Sequence, residues 1–573
     1  MITSSNPASL HTGNRGTRAE RRPRVATTRE TDQLPPRSAN ACDSTPPDNK
    51  AGTWIPAPKD PCLRKRETAF LYREPSVGKR VEQTRVGSLR AKAARGVLLM
   101  IVLNVLGTLL ARVIQIVMPL YLLPADFGIF ALAVLFSGLL AMFADLGLST
   151  ALIPRRERFD EAADTAFTLS LVVALGLVAC SIGVGWLASQ AYAEPRLGLP
   201  VLVLSISLVF QAIAMVPRVV ANRALQFGRA AIPDNVGKSI GATLTLGLAI
   251  VGFAYWSPVY GTVLGAAVGA TMQLTLSAWR PRFRLDPRLA RELVRFGQFV
   301  MLAVLANFIA RSIDNAIVGL VLGVAPLGYY AVAYSWGVYL TSNLTSLLAP
   351  VGYPLMAKIA DAPARLKRAL AENLRYFGYV AYCLTFGIVV FAPDFVSSFY
   401  GPTWAPSIVP MQLLAPTGIL IGYSAICGNA LYALGKSRAV FAATWAEVLA
   451  LVLLVPPATI FFGLAGTCVA ALVGGLVIVI RMGRRVGTLI GFSRSDWNGV
   501  TYHAFWAGAA ASAVGIGLSL LLPTNVPTLF AEVGLFILTY VVLLQVLTRG
   551  SFLADLGQVL RLAVTPRKPE ERP

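Results

Sequence analysis

Histidine is almost missing from this sequence, since only His11 and His503 occur among its 573 residues. Cysteine is also sparse: six cysteines are spread along the chain, and no two are close enough to form a zinc or redox pair. The sequence therefore predicts neither a metal site nor a cofactor.

Charged residues are scarce as well. They make up 14% of the chain, whereas hydrophobic residues make up 55% and the mean hydropathy is +0.62. A soluble chain of this length would fold into several domains with polar surfaces. These totals instead predict an all-α polytopic membrane protein. The net charge of +22 alone would suit a nucleic-acid partner, but the positions of the basic residues exclude that class.

Residues 1–95 differ from the rest of the chain. They carry 19 Lys and Arg against 9 Asp and Glu and have almost no apolar runs. Such a segment buries too little apolar surface to offset its ordering entropy, so we predict a disordered, basic cytoplasmic tail. One interpretation is a basic tail that contacts anionic lipid headgroups. The simpler one is a solvated tail, or extra sequence from an over-long start assignment.

From Val97 onward, apolar runs of a length that crosses a bilayer core follow one another. They predict about fourteen transmembrane helices, near 97–119, 127–149, 166–188, 199–217, 238–256, 258–278, 298–322, 327–350, 375–397, 409–433, 440–462, 464–481, 503–522 and 526–547.

Basic residues in the connecting loops predict the orientation. With a cytoplasmic N-terminus, the inside loops and the C-terminal tail carry 29 Lys and Arg, whereas the outside loops carry Arg196 alone. This asymmetry satisfies the positive-inside rule and accounts for the net charge without a nucleic-acid partner. We therefore expect a multi-pass protein of a bacterial plasma membrane with both termini in the cytoplasm.

Two similar hairpins indicate an internal repeat. Ala111-Arg112-Val113-Ile114 and Ala310-Arg311-Ser312-Ile313 each lie in a long apolar helix that is followed by a turn with Pro and Gly. Six helices separate the two copies, so both halves enter the membrane in the same direction, as parallel repeats around a central cavity. The predicted domains are a tail at 1–95, an N-lobe at 96–280, a C-lobe at 281–482, two additional helices at 483–548 and a cytoplasmic tail at 549–573.

Polar residues form a stripe on the first helix of each half. Charge inside a membrane is costly, so such residues normally face a water-filled cavity or a partner. Guanidinium groups bind phosphate well, which predicts an anionic, phosphorylated substrate group. The predicted cavity residues are Asn104, Arg112 and Gln115 in the first half and Asn307, Arg311, Asp314 and Asn315 in the second.

Each of these charges has a simpler alternative. Arg311 could pair with Asp314 three residues later, and Arg112 could extend toward the outer headgroups. Asp145, near the inner end of the second helix, is a candidate ion relay but could equally cap a helix or pair with a loop arginine. Glu447 is a weaker relay candidate.

Several short motifs together resemble the polysaccharide transporter family, the Wzx-type oligosaccharide flippases of the MOP superfamily. The resemblance covers about 97–482, and the motifs that carry it are Ala125-Asp126-Phe127-Gly128, Phe143-Ala144-Asp145-Leu146-Gly147-Leu148, Leu225-Gln226-Phe227, Arg295-Phe296-Gly297, Leu327-Gly328-Tyr329-Tyr330-Ala331, Phe399-Tyr400-Gly401-Pro402-Thr403-Trp404 and Ala433-Leu434-Gly435-Lys436.

The resemblance implies two six-helix lobes, alternating access and transfer of oligosaccharide units linked to undecaprenyl pyrophosphate, for exopolysaccharide, O-antigen or capsule synthesis. Candidate partners beyond substrate and bilayer are H+ or Na+ and the polymerase or export machinery.

A cation-coupled small-molecule exporter is the alternative, but it would favour acidic cavity residues. An enzyme is not expected, because the longest outer loop, near 394–408, holds only Asp394 as a catalytic acid or base.

Overall fold

The computed structural model describes residues 116–550 apart from 154, 156, 225 and 522–524, together with 107, 110, 113, 114 and 552. The predicted tail at 1–95, most of the first predicted helix and the residues after 552 lie outside the described residues.

Every regular element in the described part of the chain is helical. The helices are α1 (Pro124–Ala144), α2 (Leu148–Leu152), α3 (Phe159–Ala191), α4 (Gly198–Arg223), α5 (Phe227–Val251), α6 (Trp256–Leu276), α7 (Pro287–Leu322), α8 (Val324–Tyr334), α9 (Leu340–Lys358), α10 (Pro363–Phe395), α11 (Ile408–Ala433), α12 (Ser437–Ile490), α13 (Arg494–Ser519) and α14 (Val526–Leu547). A π-helical turn, Ser335–Tyr339, joins α8 to α9.

Nine helical segments among the described residues are long and apolar enough to cross a membrane. The fold is therefore that of an all-α polytopic membrane protein, while the count of fourteen spans stays a prediction. One of the nine segments is the whole of α12, which contains two of the predicted spans.

The helix α12 reverses direction at Gly463. This residue has φ 59° and ψ −143°, a backbone conformation open to glycine and strained for other residues. Thr459 and Thr467, on either side of the turn, lie 2.8 Å apart at their hydroxyl oxygens, and Arg481 Nη1 approaches the Ala442 carbonyl oxygen at 3.5 Å. The two halves of α12 are thus antiparallel, and the reversal falls between the predicted helices 440–462 and 464–481.

The helix α7 begins earlier than predicted. Asp286 precedes it as an N-cap whose carboxylate accepts a hydrogen bond from the backbone N–H of Arg288 at 2.9 Å, and Pro287 occupies the first helical position. Arg288, Arg291 and Arg295 consequently lie on the helix and not in the predicted loop. The helix α12 also extends beyond its prediction: it runs past the predicted lobe boundary at 482 and ends at Ile490.

The largest apolar core lies where the two halves meet. It joins Ile129 and Leu132 of α1 to Leu327 and Tyr330 of α8 and to Trp404. A separate core holds α13 and α14 against α10, where the Tyr540 hydroxyl donates to the Tyr379 carbonyl oxygen at 2.7 Å. The last two helices therefore pack on the outside of the second half.

Candidate functional site

A cavity of about 750 Å³ lies mainly between the helices of the first half. Its walls come from α1, α4, α5 and α6 and from Ile114, Met118 and Leu122 before α1. The second half contributes residues of α7, α8 and the π-helical turn, namely Asn315, Ala331, Tyr334, Ser335 and Tyr339. Most of the lining is apolar or glycine, with polar side chains at a few positions.

Glycines shape one wall of this cavity. The helices α5 and α6 approach so closely that a Cβ at Gly241 would lie 2.5 Å from the Gly261 carbonyl oxygen, and one at Gly237 would lie 2.5 Å from that of Gly265. All four glycines line the cavity. Because glycine has no side chain, α5 and α6 can pack closely, and space remains on the side of these helices that faces the cavity.

Three charged side chains lie on the cavity wall. Arg218 of α4 donates from Nη2 to Asp234 Oδ1 of α5 at 2.7 Å, and both side chains are partly exposed, at 41% and 30%. Lys238 follows Asp234 by one helical turn and is exposed. Pro217 and Pro233 directly precede the ion-paired residues, and each removes a backbone hydrogen bond inside its helix.

These three residues were not predicted as cavity residues. The predicted helices end at 217 and resume at 238, which places Arg218 in a cytoplasmic loop and Lys238 at the end of that loop. That loop assignment is wrong, since α4 continues to Arg223 and α5 begins at Phe227. A signal was available in Asp234, an acid four residues before Lys238, since that spacing places both side chains on one helix face.

The predicted residues of α7 separate into different environments. Asn315 lines the cavity. Asp314 is only 5% exposed, and its carboxylate accepts hydrogen bonds from the Tyr330 hydroxyl at 2.6 Å and from the backbone N–H of Asn315 at 2.8 Å. Asn307 is exposed and is not among the cavity residues. The three polar residues therefore do not share one environment: Asn315 lines the cavity, Asp314 is buried against Tyr330, and Asn307 is exposed elsewhere.

Arg311 lies outside this cavity. Among the described residues it forms no salt bridge with Asp314, although the two charges attract each other, so the alternative of a self-neutralising pair stays a prediction. Its exposed side chain interacts electrostatically with Glu447 of α12, against which α7 packs through Ile313 and Ile317. Arg311 and Glu447 are thus a pair of interacting charged residues in the second half, separate from the three charged residues of the cavity.

The remaining predicted residues have other positions. Asp145 ends α1 and caps α2, where it accepts from the Ser149 hydroxyl at 2.6 Å and from the Ser149 backbone N–H at 3.3 Å. The capping role was one of its predicted alternatives, and its role as a relay stays a prediction. Asn104, Arg112 and Gln115 lie outside the described residues.

The two repeated hairpins meet at one end of the cavity. A Cβ at Gly128 of α1 would lie 2.6 Å from the Val324 carbonyl carbon, and a Cβ at Gly328 of α8 would lie 2.6 Å from the Pro124 carbonyl carbon. The contact is reciprocal, as expected for two equivalent segments related by an approximate two-fold axis. We call this contact the glycine crossing.

The segment 396–407 covers the glycine crossing. Trp404 is buried, donates from its indole nitrogen to the Pro119 carbonyl oxygen at 3.0 Å, and packs edge-on against Phe127. Tyr400 donates to the Ile116 carbonyl oxygen at 2.9 Å. This stretch was predicted as an outer loop, but it forms a π-helical turn and a 3-10 helix that connect the second half to the first.

Ion pairs connect the two halves at the opposite end. Arg155, between α2 and α3, contacts Glu292 of α7 at 3.1 Å, and the neighbouring Arg158 lies 3.7 Å from Asp286. The Arg158–Asp286 pair is exposed and hence weak, whereas the Arg155 side chain is only 17% exposed. These ion pairs accompany an apolar core that joins Leu148 and Leu152 to Leu293 of α7. Gly147 packs closely against Gly297, so the two halves are in close contact at this end as well.

Comparison with known proteins adds a family to this geometry. A family model described as "Polysaccharide biosynthesis protein" matches residues 117–409. The lipopolysaccharide biosynthesis protein WzxC of Escherichia coli (strain K12) is 23% identical over 335 residues, which are 57% of this chain and 65% of that protein. The succinoglycan biosynthesis transport protein ExoT of Rhizobium meliloti (strain 1021) is 24% identical over 300 residues, 51% of this chain and 59% of ExoT. The chain thus spans less than two thirds of the length of either relative.

A solved structure shares the fold. The lipid II flippase MurJ in an inward closed conformation superposes with a TM-score of 0.67 at 14% identity, covering 79% of this chain and 99% of MurJ. At this identity the likeness concerns the architecture of the helices alone.

Proposed function

The chain belongs to the polysaccharide biosynthesis protein family, and on that premise we propose that it is a flippase for lipid-linked oligosaccharide. It moves oligosaccharide units carried on an undecaprenyl-pyrophosphate-type lipid from the cytoplasmic to the periplasmic leaflet, for assembly of a surface or secreted polysaccharide. It acts by alternating access in a bacterial plasma membrane, with both chain termini in the cytoplasm.

The observation that carries the proposal is a cavity with cationic groups, formed mainly by the first half and completed by residues of the second half. A glycan headgroup is too polar to cross a hydrocarbon core unaided, so its path must be lined by protein and water. The cavity of about 750 Å³ falls in the range of sites that enclose small ligands. It would enclose the pyrophosphate and the first sugars, while the lipid chain stays in the bilayer.

The charges support the direction. The positive-inside rule assigns the turn between α4 and α5 to the cytoplasm, so Arg218 and Lys238 lie at the end of the cavity nearest the leaflet where the substrate is loaded. The glycine crossing then lies at the periplasmic end. In this arrangement the cavity is closed toward the periplasm, and release of the substrate requires the glycine crossing to open.

Transfer between leaflets makes and breaks no covalent bond, so no catalytic residue is proposed. Arg311, Asp314 and Glu447 of the second half remain candidates for binding substrate or for coupling to H+ or Na+. Asp314 is buried and Glu447 is half-buried, and neither lines the first cavity, which favours coupling for these two residues. The polymerase and export machinery that consume the product are proposed partners.

A deletion strain tests the proposal. We expect deletion of the gene to abolish the polysaccharide whose repeat units the protein moves, and the intact gene to restore it. Arg218→Ala should restore little polymer, whereas Arg229→Ala, at an exposed position of α5 outside the cavity, should restore it fully. Unchanged polymer after deletion would exclude the flippase, and altered drug susceptibility in its place would support an exporter.

A further inference from the structure

We propose that Asp234 is an internal counter-ion that exchanges partners. It neutralises Arg218 in the substrate-free cavity and turns to Lys238 when a phosphate group of the lipid-linked substrate takes its place on Arg218. The inference rests on the proposed function and specifies how the same cavity recognises the anionic part of its substrate.

The ion pair leaves most of the Arg218 guanidinium unused. A single contact, Nη2 to Asp234 Oδ1, connects the two groups. Arg218 Nε is shielded from solvent and has no hydrogen-bond partner within the described chain. A guanidinium offers five donors in a planar fork, and a phosphate can accept two of them side by side. Replacing the carboxylate by phosphate therefore adds hydrogen bonds to Arg218.

Lys238 can receive the displaced carboxylate. It lies four residues after Asp234 on α5, lines the same cavity, and has no ion pair with any residue that the structure describes. An acid four residues before a lysine is the more favourable order of an ion pair within a helix. A change of the Asp234 side-chain rotamer would bring its carboxylate toward Lys238 without movement of the backbone.

With ligand bound, the exchange leaves none of these cavity charges without a partner. An unpaired charge in a cavity of low dielectric is strongly unfavourable, and so is a carboxylate beside a phosphate. With the exchange, phosphate faces Arg218 and Asp234 faces Lys238. Asp234 then acts in two ways: it excludes ligands too weakly anionic to displace it, and it competes with bound phosphate so that the substrate can leave.

Binding to the purified full-length protein tests the exchange. Undecaprenyl pyrophosphate in detergent is the probe, inorganic pyrophosphate is the second arm, and Arg229→Ala is the matched control. Asp234→Asn should tighten binding of the lipid about fivefold, the equilibrium factor for one partly exposed ion pair. Arg218→Ala should weaken it at least tenfold, because charge-assisted hydrogen bonds are lost.

The role of Lys238 is tested by a double-mutant cycle. Lys238→Ala should weaken binding severalfold in the wild-type background but have no effect in Asp234→Asn, because no carboxylate then needs a new partner. Equal effects in both backgrounds would overturn the exchange and indicate direct contact of Lys238 with the ligand. Unchanged or weaker binding by Asp234→Asn would overturn it as well. Binding of inorganic pyrophosphate alone would overturn the assignment to a lipid.

Polysaccharide output separates this inference from the proposed function. Asp234→Asn should lower polymer output in the complemented strain although it tightens binding, because release is slowed. If deletion leaves the polymer unchanged, the proposed function fails whatever the binding data show. If complementation is normal and Asp234→Asn does not tighten binding, only the exchange fails.

Discussion

Substitution of Gly128 by alanine should open the end of the cavity that we propose faces the periplasm. Its Cβ would lie 2.6 Å from the Val324 carbonyl carbon, whereas two carbon atoms in contact are about 3.5 Å apart. The Val324 carbonyl oxygen would lie closer still, so the helices α1 and α8 must separate by more than the roughly 0.9 Å that the carbonyl carbon alone requires. Overpacking of this kind typically costs about 1–3 kcal/mol.

This cost falls on the state in which the glycine crossing is closed. If the open state separates α1 from α8, the alanine is accommodated there, and the equilibrium shifts toward opening by about 5- to 150-fold. Alanine also favours a helix over glycine by up to about 1 kcal/mol, but both states contain α1, so this gain cancels between them. The reciprocal position, Gly328, should behave in the same way.

Labelling of a cysteine in the cavity measures the shift. Thr262 lines the cavity on α6, and Thr262→Cys in a background without the native cysteines can be labelled from the periplasm with a membrane-impermeant maleimide. Gly128→Ala should raise the labelling rate at least fivefold. Gly176→Ala and Gly247→Ala are the controls, since no atom lies within 4 Å of a Cβ at either position.

The double variant provides the decisive comparison. Once one alanine has separated the helices, the second should add little, so the effects of Gly128→Ala and Gly328→Ala should be strongly non-additive. Additive effects would refute a shared crossing. A folded Gly128→Ala protein whose labelling rate matches the two controls would refute the assignment of this contact as the periplasmic closure.

Three further predictions concern other parts of the chain. Hydrogen bonding by Lys367, and next by Ser493, lowers the pKa of Asp496 to about 2, so its contribution to stability is present above about pH 4 and is lost as pH falls toward 2. Lys367→Met should flatten that part of the pH dependence of thermal unfolding, and an unchanged profile would contradict this. Gly463→Ala, at positive φ, should lower stability by about 1–2 kcal/mol, measured as a fall in Tm against Gly247→Ala, and an equal Tm would contradict the strained turn. Arg311→Ala should abolish polysaccharide output in the complemented deletion strain while Arg311→Lys retains part of it, and full output from Arg311→Ala would remove this residue from the function.

Much of the helix pattern could be predicted from the sequence, because the free energy of placing a segment in a bilayer depends on its own residues. The apolar runs predicted the membrane class and most spans, including the break at Gly463. The predicted helix boundaries at 217 and 238 were wrong because hydropathy depends only on the residues of the segment itself. A basic residue near the end of an apolar run lowers hydropathy equally whether it lies in a loop or on a helix that continues, as Arg218 does.

The internal repeat shows both what the sequence predicts and what it leaves undetermined. The sequence by itself determined that two similar hairpins, each with a Pro and a Gly in its turn, open two parallel halves. Only the tertiary structure decided that Gly128 and Gly328 pack against each other's hairpin, that Asp314 is bound by the Tyr330 hydroxyl, and that Arg218, Asp234 and Lys238 share a cavity. These outcomes depend on contacts between residues far apart in the chain, and those contacts are set by how helices pack, which the periodicity of a single helix does not specify.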